Sequence, residues 1–243
     1  MNIISWEDFT GKKPLAGKRC AFTIGVFDGI HLGHMALMKR IIGEKDTVPV
    51  VFTFRQNPHE IFKKDFQGNI YTQNQKLAIM RDIGIDTVIL IDFSYEFGKL
   101  SGRQFFQKIE ESLIPVKVVI GYDFRCGFNN DTGSAEIKSM YAGSGVDVEV
   151  VAEFVYSGCT VKSTFIRSLI TEGRLDILSE LMYNGYSVDV SGLDPDVIPR
   201  NEIRQLLPGS GSYKIKLFRD GSFTDAVINV NNTHVKLEYT KEE

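Results

Sequence analysis

The sequence predicts an α/β fold: a doubly wound, mostly parallel sheet followed by a small β-rich C-terminal domain. Three observations carry that prediction. Strand-like apolar runs alternate with helix-like segments from Cys20 to Phe154, an order that demands crossovers between parallel strands. The strand runs are continuous rather than alternating, as expected of strands covered on both faces. After Tyr183-Asn184-Gly185 the texture changes to short β-like stretches punctuated by turn residues.

In chain order, Cys20–Val26 reads as the first buried strand and His34–Ile42 as a helix with apolar spacing near 3.6. Val48–Phe54 is the next strand. Asn74–Ile83 reads as a helix stopped by Gly84, and Thr87–Ile91 as the strand after it. Ser101–Leu113 carries Phe105, Phe106, Ile109 and Leu113 on one helical face and ends before Pro115. Val116–Ile120 is a strand, followed by a loop rich in Gly, Asn and Asp over Gly121–Gly133. Ile137–Tyr141 reads as a short helix and Val146–Phe154 as a strand. Beyond residue 185 a helix is expected only over Arg200–Leu207. Tyr213–Phe218 and Phe223–Asn229 flank an Asp220-Gly221 turn and read as a hairpin, with Val235–Tyr239 as a third strand. The expected domains are therefore 1-185 and 186-243, and a unit as small as the second should dock on the first.

Composition narrows the function. The 243 residues carry 28 Lys plus Arg against 31 Asp plus Glu, a formal charge of −3. No global positive field points to nucleic acid, so an anionic ligand must be caught locally. The first ten residues have acids and no apolar h-region, and no apolar run approaches membrane-spanning length. Three cysteines without CxxC spacing fit a reduced chain lacking a thiolate zinc site. A cytoplasmic protein with no membrane partner is expected. Nothing in the charge pattern indicates a protein partner.

The sharpest motif is Gly25-Val26-Phe27-Asp28-Gly29-Ile30-His31-Leu32-Gly33-His34, at the exit of the first predicted strand and the entry to the first helix. Open α/β sheets bind ligands at the carboxyl ends of their strands. A glycine-rich turn there lets backbone approach a phosphate, and the helix start offers free N–H groups. His31 and His34 suit a site where negative charge builds on phosphate oxygens, because each ring can donate to them. Two histidines at a helix start can also do no more than solvate a turn. A metal pair lacks a third ligand nearby, so no metal site is expected.

Val161-Lys162-Ser163-Thr164-Phe165-Ile166-Arg167 offers a second anion site, with Ser163 or Thr164 capping the helix that carries Arg167. Taken alone, a capped amphipathic helix with solvated basic residues explains it as well. Gly121-Tyr122-Asp123-Phe124-Arg125-Cys126-Gly127 follows another predicted strand. So does Phe54-Arg55-Gln56-Asn57-Pro58-His59-Glu60. Asp123 and Arg125 suit a ligand contact or a structural ion pair. Pro58 suits a wall for a flat ligand or a plain turn. Three of the four motifs directly follow predicted strands, so one crevice can collect them.

These residues resemble a known family. GVFDGIHLGH is similar to the HxGH signature of the Rossmann-like nucleotidylyltransferases. The longer pattern resembles the FMN adenylyltransferase (FAD synthetase) module of bacterial bifunctional riboflavin kinase/FAD synthetases. The likeness continues through Lys76, Gly84-Ile85-Asp86, the Phe93…Phe97…Leu100-Ser101…Phe105 run, GYDFRCG, VKSTFIR and Gly173, covering about residues 18–185.

The resemblance implies transfer of AMP from ATP to the phosphate of FMN, with Mg2+ required. It implies that His31, His34 and Arg167 are catalytic, and that Gly25, Phe27, Asp28, Gly33, Ser163 and Thr164 bind the nucleotide. Asn57, Pro58, Asp123 and Phe124 are implied around the flavin. Several positions depart from the family pattern. Phe54-Arg55-Gln56-Asn57-Pro58 keeps only the last proline of F-x-P-H-P, Phe128–Thr132 has no basic residue, and Lys162 replaces a small hydroxyl residue. The kinase motif G-x-P-T-A-N is absent, so 186-243 is expected to be a shortened remnant of a riboflavin kinase barrel without kinase activity. Two other readings stay open: a nucleotidylyltransferase with a different acceptor, and a flavin- or nucleotide-binding homologue without catalysis.

Overall fold

Six short apolar runs pair into one parallel sheet, the arrangement that lets helices cover both faces of strands too hydrophobic to meet water. The computed structural model describes residues 1–62, 66–193 and 196–239. In it β1 (Asn2–Ser5), β2 (Arg19–Ile24), β3 (Val48–Phe54), β4 (Thr87–Ile91), β5 (Ile114–Gly121) and β6 (Asp147–Val151) lie in the order β1-β4-β3-β2-β5-β6. Every neighbouring pair is parallel. The order turns back at β2: β3 and β4 extend to one side of it, β5 and β6 to the other. That reversal makes the carboxyl ends of β2 and β5 the switch point where such sheets bind ligands.

The chain forms two compact units that do not part at a single point in the sequence. One comprises Met1–Phe27, Gly33–Pro58 and Met80–Glu153; the other comprises Asp28–Leu32, His59–Ile79 and Phe154–Glu243. The parallel sheet and its core belong to the first. Its core is aromatic: Trp6, Phe9, Phe22, Phe52, Phe105 and Phe106 are buried together with Ile89, Val118 and Ile120. The Trp6 ring stacks on Phe105 with centroids 5.3 Å apart, and Phe9 and Phe22 meet Phe52 edge-on. The helix Gly102–Glu110 delivers two of these rings. Its start is fixed by a capping box, in which the Ser101 hydroxyl accepts from the Gln104 N–H and the Gln104 side chain accepts from the Ser101 N–H.

Strand β1 and the helix Trp6–Lys12 are not foreseen by the sequence reading. Their signal is short: Ser5 caps the helix, its hydroxyl accepting from the Asp8 N–H at 3.1 Å, and Trp6 and Phe9 turn inward one turn apart.

The second unit holds a five-stranded sheet of β7 (Ser187–Asp189), β8 (Val197–Pro199), β9 (Gly211–Arg219), β10 (Ser222–Val230) and β11 (His234–Tyr239), in the order β7-β9-β10-β11-β8. Only β7 and β9 pair in parallel. The expected hairpin is β9–β10, and Asp220 and Gly221 both take positive φ, 49° and 93°, as its two-residue turn requires. The expected helix over Arg200–Leu207 is not formed. Arg200–Glu202 is a single 3₁₀ turn, after which the backbone extends and pairs instead, Leu206 N–H donating to Asn69 C=O at 2.8 Å. Ile203, Leu206 and Leu207 are buried from that extended stretch. Tertiary pairing overrides a modest helical pattern there.

Candidate nucleotide site

Three loops of the first unit leave the carboxyl ends of three adjacent strands, β3, β2 and β5. After β2, the Gly25 N–H continues the ladder to Phe52 C=O, and the Thr53 hydroxyl donates to Val26 C=O at 3.1 Å. Phe27 then takes the left-handed conformation, φ 53°, and its buried ring folds back over Gly25. A Cβ on Gly25 would stand 3.0–3.3 Å from three atoms of that ring, so any larger residue presses on it. The same ring meets His34 edge-on, with centroids 5.1 Å apart. Gly25 and Phe27 therefore set the orientation of His34, which lies one residue after Gly33 in the first turn of the helix Leu32–Ile42. After β3, Asn57 is buried and Pro58 opens the helix Pro58–Phe62, where its missing N–H costs nothing. After β5, Asp123 is exposed, while Phe124 is half-buried against the aromatic core.

In the second unit, Asp28 is the centre. Its side chain is 6% exposed. One carboxylate oxygen accepts from the Ile70 and Tyr71 N–H groups at 2.8 and 3.3 Å, and the other accepts from Arg167 Nη2 at 2.6 Å. The Ser163 hydroxyl donates to Asp28 C=O at 2.9 Å. Two motifs separated by more than 130 residues in sequence are thereby joined. Burying a carboxylate is costly unless it is paired and hydrogen-bonded, and Asp28 is both. Arg167 also stands over the Phe66 ring, 5.2 Å from its centroid, so its guanidinium plane is held from two directions.

Gly29, at φ 73°, lets this turn close: a Cβ there would come within 2.9 Å of the Ile70 side chain. Its role is conformation and packing. His31 is 5% exposed, paired as an isolated antiparallel bridge with Met182. Burial pushes its ring down to about 4 from the usual 6.5, so it is neutral at pH 7. A neutral imidazole retains one N–H to donate. Lys76 is buried as well. Burial pushes it down to about 8, opposed by the negative charge of Asp28.

Neither Ser163 nor Thr164 caps the helix Ser163–Thr171; Lys162 occupies the N-cap position with no side-chain bond. The Ser163 hydroxyl is committed to Asp28 instead, and Thr164 is exposed. Asp28, read from the sequence as a nucleotide contact, has both carboxylate oxygens engaged within the protein. The residues missed are Phe66 and the Ile70 and Tyr71 amides. Backbone donors leave no side-chain signature, and the segment carrying them has no recognisable motif. Among the described residues no three His, Cys, Asp or Glu side chains stand together as metal ligands, and no helix is long and apolar enough to cross a membrane.

A family model described as FAD synthetase matches residues 13–165. The bifunctional riboflavin kinase/FMN adenylyltransferase of Escherichia coli K12 is 26% identical over 212 residues, spanning 82% of this chain and 68% of that protein. The protein of the same name from Listeria monocytogenes is 28% identical over 218 residues, with the same two shares. Among solved structures, a macrolide-efflux protein from Streptococcus pneumoniae superposes with a TM-score of 0.75 at 19% identity, over 100% of this chain and 94% of that one. At that identity the match speaks to the fold.

Proposed function

This chain belongs to the FAD synthetase family, a family of nucleotidyltransferases, and on that premise we propose that it transfers AMP from ATP to FMN. A phosphate oxygen of FMN attacks the α-phosphorus of ATP. The bond from that phosphorus to the α–β bridging oxygen breaks, and pyrophosphate leaves with the electron pair. FAD is the product, and no covalent enzyme intermediate is needed. What the protein contributes is positioning and charge stabilisation.

The observation that carries this reading is the buried Asp28 carboxylate, which holds the Arg167 guanidinium while its carbonyl holds the Ser163 hydroxyl. Arg167 so held is pre-aimed for phosphate oxygens, with no reorganisation left to make when charge moves onto the leaving group. His31 and His34 donate to phosphate oxygens, His31 through the one N–H that its neutral ring retains. Gly25, Phe27, Gly33 and Thr164 bind the nucleotide in this reading, Gly25 and Phe27 through the loop that orients His34. Asn57, Pro58, Asp123 and Phe124 border the flavin. Asp28 acts through Arg167. Mg2+ bound with ATP would neutralise charge on the triphosphate; among the described residues no cluster of three His, Cys, Asp or Glu would hold it by itself.

The same proposal assigns 1-185 to adenylyl transfer and 186-243 to a kinase-barrel remnant without kinase activity, and it puts the enzyme in the cytoplasm. The test is an assay of purified protein with ATP and Mg2+, one tube holding FMN and another riboflavin, products resolved by chromatography. FAD from FMN and nothing from riboflavin supports adenylyl transfer to FMN without kinase activity. Turnover of riboflavin removes the remnant assignment. If neither tube yields product, titration with FMN and ATP separates a non-catalytic binder from an enzyme with another acceptor.

A further inference from the structure

The second unit buries polar groups that the scheme above does not use, and they form one connected web. Gln205, 4% exposed, donates through Nε2 to Ile70 C=O at 2.7 Å and Ser187 C=O at 3.0 Å, and its Oε1 accepts from the Asp189 N–H at 2.6 Å. Gln75, fully buried, donates to the Ser187 hydroxyl at 2.8 Å, and its Oε1 accepts from the Thr72 N–H at 2.8 Å. The Thr72 hydroxyl donates to the Asp189 carboxylate at 2.6 Å. The Tyr71 hydroxyl donates to Gly185 C=O. Both ends of both amides are satisfied, the condition under which a buried polar network rigidifies its surroundings.

The web ties residues 69–75 to β7 and to the extended stretch around Gln205. Asn69 pairs with Gln205 as a parallel bridge. Gly68, at φ 100°, permits that approach: a Cβ there would stand 2.9–3.0 Å from the backbone of residues 204–206. The segment so fixed is the one whose Ile70 and Tyr71 amides hold Asp28, and Asp28 holds Arg167. An unbroken path of hydrogen bonds runs from the β-rich sheet to the arginine.

We propose that the β-rich C-terminal region serves as the positioning element for Arg167, with Gln205, Gln75 and Thr72 fixing the Ile70–Tyr71 backbone that aims Asp28. This rests on the adenylyl-transfer reading for its catalytic consequence, though not for its structural one. Gln205 and Thr72 are positioning residues and touch no reacting atom.

The test uses the full-length protein with Gln205→Leu, the milder Thr72→Val, Asp28→Asn, and each of the first two combined with Asp28→Asn. Gln205→Leu is expected to lower kcat roughly tenfold, and Thr72→Val several-fold, with the KM for FMN unchanged, as for groups that act through preorganised charge. In the Asp28→Asn background neither substitution should lower kcat further, because the path is already cut. Losses that multiply in the combined variants would overturn the proposal. Should Gln205→Leu fail to fold, Thr72→Val decides on the same criteria. Amide exchange followed by NMR gives a readout independent of turnover. Ile70 and Tyr71 should exchange at least tenfold faster in both single variants, the Arg167 guanidinium signals should broaden, and the β3 amides should not change. Unchanged exchange and sharp Arg167 signals would overturn the proposal. If the wild-type protein makes no FAD, the adenylyl-transfer reading fails, and the exchange data alone decide the positioning role.

Discussion

The two compact units bury different things. The first hides rings and aliphatic chains around Trp6, Phe52 and Phe105, and its buried polar residues are uncharged: Thr23, Thr53, Asn57, Thr87, Ser112 and Thr132. The second hides a carboxylate, an ammonium, an imidazole and two amides: Asp28, Lys76, His31, Gln75 and Gln205. Apolar burial is the efficient source of stability. Buried charge is weak evidence of stability, and it persists where it fixes a geometry. The first unit thus draws its stability from apolar packing, while the second gives up some in burying the carboxylate that pairs with Arg167.

That contrast can be broken by substitution. The largest effect expected is Phe52→Ala, which leaves a cavity among the rings of Trp6, Phe9, Phe22 and Phe105 and should cost about 3–5 kcal/mol in denaturant unfolding. The folded fraction should keep the kcat of the parent. A collapse of kcat in fully folded molecules would show that the scaffold and the site are not separable.

Acid should select the second unit. His31 has its folded value at about 4 and its ordinary one at 6.5, so as pH falls the unfolded chain takes up its proton first. No cost exists above pH 6.5. It grows through the interval and is complete below pH 4, where it amounts to about 3 kcal/mol. Unfolding free energies at pH 7 and pH 4.5, compared with those of His31→Gln, should differ by most of that amount. Equal slopes for the two proteins would remove His31 as the source.

Arg167→Lys comes next. A lysine keeps the charge and loses the planar fork that meets Asp28 and stacks on Phe66. About a hundredfold loss of kcat is expected, with the melting temperature displaced by only a few degrees. The smallest effect belongs to Gly25→Ala. The methyl presses on the Phe27 ring and tilts His34, for a loss of about tenfold in kcat.

Much of this was legible in the sequence, for a physical reason. Parallel strands are covered on both faces, so Val48–Phe54 and Thr87–Ile91 announce themselves as unbroken apolar runs. The Asp220-Gly221 turn is readable because its two positive φ angles restrict residue choice. The HxGH segment is readable because a positive φ and close approach restrict Gly29, and the Phe27 ring crowds Gly25. What was not legible depends on partners distant in the chain. Arg200–Leu207 has helical composition, and only its pairing with Asn69 makes it extended. Ser163 has the sequence of a cap, and only the Asp28 carbonyl diverts it. Gln205 carries no local mark of its importance, since an amide in a polar stretch reads as surface until its burial is seen.

The pairing of Asp28 with Arg167 has a consequence for how the molecule is made. The two residues are 139 positions apart, and Gln75 waits 112 positions for Ser187. A ribosome adding roughly 5–20 residues per second exposes Asp28 on the order of ten seconds before Arg167 exists. Throughout that interval a carboxylate destined for burial lacks its guanidinium partner, and the Ile70 and Tyr71 amides lack the Gln205 contacts that fix their backbone. The parallel sheet can condense during synthesis from segments as they emerge. The arginine's cradle closes late, after the long loops have been gathered. Newly made chains should thus acquire a protease-resistant sheet first and nucleotide-handling competence last.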